Sequence, residues 1–172
     1  MIINIQNPID FKSINKINGI VLSGSNFYPP HIGLILNGKY FSCSAHSVKS
    51  AIPFNIVYKK FQIKNFKVVI AELNFSPSNF TAENLFTNHG VLEGSKTCLE
   101  PVKKTIEDYL NLSFDVNFIY EFLPILEKHK LITGYFQHGL DEEIINGKYE
   151  LKTYSKQDIL SCIKGLQLSN VK

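Results

Sequence analysis

The chain has no tryptophan, a single methionine and no apolar run approaching the ~20 residues of a membrane-spanning helix. Cysteine is scarce as well. Cys43, Cys98 and Cys162 are widely spaced, odd in number and contain no C-x-x-C pair. That pattern argues against a disulfide framework and against a structural zinc site, so a cysteine that acts here acts as a free thiol. Positive charge is dispersed: the formal net charge is +3 and no basic block forms. Tracking phosphates needs a concentrated basic surface, so nucleic acid is not an expected partner. No repeat with a period of about 20 to 50 residues occurs, and no Gly/Ser-rich or Pro-rich linker divides the chain. The opening MIINIQNPIDFKSINKING alternates apolar and polar residues and carries Asp10, unlike a secretory signal. A cytoplasmic location is expected, with signal-independent export left open.

What is present suits one domain over residues 1–172. Hydrophobic residues make up 44% of the chain, with 13 Phe and 8 Tyr, enough to bury a continuous core without staples. Gly19 to Ser25 reads as a short buried strand ended by Gly24. Residues 31–36 and 39–45 read as two strands turned by Asn37-Gly38, the strongest short-range hairpin signal. The segment 51–61 suggests a short helical or irregular crossing, and 66–75, β-branched and apolar, a central strand. After Pro77 the pattern becomes helical. A short helix should close at Gly90, and 97–112 places Leu99, Val102, Ile106, Tyr109 and Leu110 on one stripe. Pro124 predicts two short pieces within 117–133. The tail reads as a last helix, with Ser155 as N-cap and Gly165 as its stop. Early strands followed by late helices indicate an α+β fold.

Two residues stand out chemically. Thr97-Cys98-Leu99-Glu100 fits a capping box, which makes Cys98 the first residue of a helix, although Pro101 offers an alternative start. At a helix amino end, unpaired N–H groups and the dipole favour thiolate and lower the cysteine pKa. His31 opens a strand directly after two prolines, where a side chain reaches the rim of a sheet and could serve as base for a thiol. Ser42 and Ser44 share one face of the neighbouring strand, from which a hydroxyl could hold the second imidazole nitrogen.

The remaining candidates have plainer readings. Cys43 is expected in the core, although the CSAH stretch sets it three residues from His46, and Cys162 is expected to pack inside the last helix. Cys98 is therefore the thiol expected to alkylate first. His89 looks like a helix-ending turn residue and His129 like solvated helix surface; His138 could cap an element or line a cleft. Asp141, Glu142 and Glu143 lack flanking ligands at metal spacing and read as a solvated loop or helix start. No phosphate-loop ending occurs, and no GxSxG elbow supports a serine hydrolase; no cofactor or metal is expected.

Four stretches, in order, carry a family likeness: INGIVLSGS, HIGLILNGKYFSCS, HSVKSAIPFNIVYKKF and TCLEPVKKTIEDYLN, with YSKQDIL near the end. So arranged, the chain resembles the circularly permuted NlpC-type branch of the papain-like thiol hydrolases, in which a histidine hairpin precedes a cysteine-bearing helix. The resemblance implies a papain-like antiparallel sheet packed against helices. It also implies Cys98 as nucleophile, His31 as general base and Ser42 as the third polar residue. Ile20 stands where the family usually has aspartate, CLEP replaces CSEL, and serine replaces the usual His, Glu or Gln at position 42. The function so implied is hydrolysis of an amide or ester bond in a peptide or acyl substrate, with a cell-wall peptide the first expectation. The alternative is a catalytically inactive module on the same fold that binds a protein partner, as an immunity-type protein would.

Overall fold

A computed structural model describes residues 1–9, 16–25 and 28–169. The expected first strand is β2 (Gly19–Ser23), preceded by a strand the sequence reading did not anticipate, β1 (Ile2–Pro8). The Asn37-Gly38 turn joins β3 (His31–Leu36) to β4 (Lys39–Cys43), with φ of 49° and 71° at its two residues. Positive φ at both positions is what a tight hairpin requires, and Asn-Gly meets it with least strain. The crossing at 51–61 resolves into an edge strand, β5 (Val48–Pro53), and helix α1 (Phe54–Ile63). β6 (Val68–Leu73) is central, as its β-branched sequence predicts.

Helix α2 (Asn79–His89) stops at Gly90, whose φ of 75° suits glycine. Helix α3 (Leu99–Leu110) buries Leu99, Val102 and Ile106, while Tyr109 turns outward and stacks on Phe75 with ring centroids 5.0 Å apart. Then follow α4 (Ile119–Lys128), β7 (Ile132–His138), β8 (Lys148–Glu150) and α5 (Lys156–Ser169). No described helix is long and apolar enough to cross a membrane.

Three expectations require correction. Pro124 does not split 117–133 at the proline: α4 runs through it, and the break falls later, before β7. The proline faces solvent, while Ile119, Phe122, Leu123 and Leu126 are fully buried and Glu121 accepts from the Phe118 N–H at 3.1 Å. Packing and a satisfied amino end outweigh one lost hydrogen bond. Gly165 does not stop α5, because Ile163 is buried beyond the middle of the helix and Gln167 donates to the Leu92 carbonyl at 3.2 Å. The sheet, finally, is mixed rather than antiparallel. Its order is β5-β4-β3-β2-β6-β7-β1-β8, and the β1–β7 pair is parallel.

The architecture is α+β, with helices on both faces of the eight-stranded sheet. Side chains alternate between the faces. Ile20, Leu22, Ile32, Leu34, Val69 and Ala71 join α2, α3, α4 and Ile163 of α5 in the larger core. Val21, Ile35, Tyr40, Val68 and Ile70 pack with α1 in the smaller one. The α3 helix rests on β3, so its amino end comes to the first residues of that strand.

Candidate active site

Cys98 is the N-cap of α3 and Leu99 its first helical residue. The capping box does not form, and Glu100 instead sits 3.7 Å from Nδ1 of His89. Pro101 fits within the first turn, where its missing N–H removes no intrahelical bond. The half-buried Cys98 side chain packs at the margin of the larger core.

Its electrostatics differ from the expectation. Burial pushes the Cys98 thiol up to about 11, although backbone hydrogen bonding from Ile32 and from its own N–H favours thiolate. Neighbouring Cys162 and Glu100 push in the same direction as burial. A helix amino end thus fails to activate this thiol in the resting protein, because desolvation is the larger effect.

His31 is the first residue of β3, held between Pro30 and a strand that pairs it with Ser23. Burial, reinforced by the charge on Lys49, brings its pKa from 6.5 down to about 4. Its Nε2 is buried without a hydrogen-bond partner. At neutral pH the two side chains are therefore an uncharged thiol and an uncharged imidazole.

Cys98 and His31 line one cavity of about 80 Å³. They reach it from different directions. Strand alternation assigns His31, with Gly33 and Ile35, to the α1 face, whereas Cys98 comes from α3 on the other. Leu92 and, from α5 and the segment before it, Tyr154, Ile159, Cys162 and Ile163 make the cavity predominantly apolar. A more polar groove of about 340 Å³ adjoins it, sharing Thr97, Leu99, Asn117 and Ile159 and continuing to Glu100, Lys103 and Lys156.

Ser42 does not line the cavity, and its buried Oγ makes no hydrogen bond, so the expected bond to the imidazole is not made. It lies instead beside Tyr40, whose phenol burial drives far up; the two hydroxyls are neighbours, but their geometry in the resting protein does not complete a hydrogen bond. Ser44, by contrast, lines the cavity and donates to the Ser47 carbonyl at 3.0 Å.

Among the other candidates, Cys43 is core: its Sγ donates to the Phe86 carbonyl at 3.5 Å and burial raises its pKa to about 12. Cys162 is exposed rather than packed, although burial still raises its pKa. His89 ends α2, and His129 is the exposed C-cap of α4. His138 lies edge-on to Tyr58, with ring centroids 5.3 Å apart. Asp141 accepts from Gln137 at 2.9 Å, and Glu143 pairs with Lys67. Among the described residues no group of His, Cys, Asp and Glu is arranged to hold a metal ion.

Tyr154, Leu92 and the α5 residues of the cavity wall carry no catalytic signature in the sequence; the α5 stripe alone is a signal, and it is that of ordinary packing. Lys49 carried none, because its proximity to His31 depends on strand order. Comparison with protein-family models, with curated proteins and with solved structures finds no match.

Proposed function

We propose that the chain is a thiol hydrolase of the permuted papain-like kind, in which Cys98 attacks the carbonyl of an amide or ester and His31 takes the thiol proton. The observation that carries this reading is that Cys98, at a helix start, and His31, at a strand start, both line one cavity, and the reading requires the His31 ring to turn from the α1 face of the sheet towards the thiol. Their order, histidine hairpin before cysteine helix, is that of the family the sequence resembles. Attack on a carbonyl would place negative charge on its oxygen, and the unpaired N–H groups of the first α3 turn are the donors available to it. The free His31 Nε2 could accept a proton as neutral imidazole, so the reaction needs no preformed thiolate–imidazolium pair. The apolar cavity would take one side of the scissile bond and the polar groove the other, with a cell-wall peptide as the first substrate to test. Release of p-nitrophenol from activated esters, and of amine from peptide amides, tests this reading. Activity should disappear in Cys98→Ala and fall by about 10²–10⁴ in His31→Ala. Equal turnover in the folded variants would refute it.

A second reading is favoured by the uncharged resting pair and by the unbonded Ser42. On it, the chain is a non-catalytic module that binds a protein partner. Cys98→Ala and His31→Ala would then preserve the cellular phenotype that deletion of the chain removes.

A further inference from the structure

On the α1 side of the sheet, away from the Cys98 cavity, a groove of about 220 Å³ runs between β5 and α1. Its floor is apolar, formed by Ile52, Phe61 and Phe66, with the two phenyl rings 6.1 Å apart at their centroids. Its rim carries Lys49, Lys60 and Lys64. Among the described residues the ammonium groups of these three have no carboxylate or carbonyl partner, whereas Lys67 pairs with Glu143 and Lys104 with Asp108. Lys103, similarly, donates to the carbonyls of Phe114 and Val116 at 3.1 and 3.2 Å. Burial and the charges of Lys60 and Lys64 hold Lys49 below its ordinary pKa, the electrostatic signature of cations brought together without a counter-charge.

Like charges held around an apolar floor cost stability unless an anion relieves them. We infer that this groove binds a small organic monophosphate, its dianionic head among Lys49, Lys60 and Lys64 and its apolar body against Ile52, Phe61 and Phe66. Three ammonium groups match a dianion better than a single carboxylate, and lysine serves phosphate as a point charge. The volume falls below the ~300–1,000 Å³ of drug-sized sites, which limits the body to a short chain or one ring. The inference does not rest on the hydrolase reading, since no part of it uses Cys98, although an anion at Lys49 would also offset the charge that lowers the His31 pKa.

Hexyl phosphate is the probe, titrated into the intact protein by calorimetry beside inorganic phosphate, hexanol and vesicles containing anionic lipid. Saturable binding of hexyl phosphate is expected, at least about tenfold tighter than either half alone, because head and body contribute together. The exposed double variant Lys60→Ala/Lys64→Ala should retain its circular dichroism spectrum and lose about tenfold or more in affinity. No saturable binding, or equal affinity in the double variant, would overturn the assignment. So would capture on anionic vesicles that hexyl phosphate fails to compete, which would make this face a membrane-docking surface instead.

Discussion

Tyr40 lies so close across Gly33 that a Cβ at the glycine would stand 2.4 Å from the phenolic oxygen. The ring is fully buried against Phe54 and Phe61 and cannot move aside cheaply. Gly33→Ala should therefore destabilise the protein by about 1–3 kcal/mol, the usual cost of overpacking a dense core. Tyr40→Phe removes a buried hydroxyl that has no hydrogen bond, and should be neutral or stabilising by up to about 1 kcal/mol. Urea unfolding of both variants measures these values, and a destabilised Tyr40→Phe would reveal a bonded hydroxyl.

His31 should make stability depend on pH. Its folded pKa, about 4, lies below the ordinary 6.5, so the unfolded state binds its proton first as pH falls. The stabilisation from keeping it neutral is fully present above about pH 6.5 and is lost as pH falls towards 4. The total should be roughly 3 kcal/mol, and His31→Gln should flatten that window. Denaturant midpoints from pH 4 to 7.5 check it.

The thiols should react in the order Cys162, Cys98, Cys43. Cys162 is exposed, and although burial raises its pKa as well it is the thiol most open to reagent; Cys98 is half-buried with its pKa at about 11, and Cys43 is buried with its pKa at about 12. Peptide mapping after brief iodoacetamide treatment at neutral pH reads all three sites. In Cys162→Ser, modification of Cys98 should be slow at pH 7 and accelerate as pH rises towards 11.

Gly165→Ala should stabilise the protein by about 0.5–1 kcal/mol. The glycine is inside α5, and a Cβ there would meet nothing within 4 Å. A thermal midpoint unchanged or lowered by the substitution would mean that the last turns of α5 contribute nothing to the folded state.

The sequence revealed most where local chemistry decides conformation. Asn37-Gly38, Gly90 and Ser155 each mark their turn or helix end, and the Ser155 N–H and hydroxyl both donate to Asp158 at 2.7 Å. It revealed less where long-range pairing decides. β1, seven residues long, and β8, only three, are held by partners far along the chain, as when the Met1 amino group donates to the Leu151 carbonyl at 3.0 Å. The site followed the same division. Cys98 and His31 could be named from their positions at element starts, but their charge states could not, because burial comes from α5 and from the far face of the sheet. The close approach of Tyr40 to Gly33 likewise rests on packing across the strands, which nothing local to the glycine specifies.

The central claim is that Cys98 forms a covalent acyl intermediate with His31 as its base. Intact mass followed by peptide mapping, after brief acid quench of the Cys162→Ser protein with p-nitrophenyl esters of graded chain length, tests it most directly. The account predicts one acyl group per chain, on the Cys98 peptide, forming much more slowly in His31→Ala and absent in Cys98→Ala. Acylation confined to lysines, or a Cys98 adduct forming equally fast without His31, would contradict it.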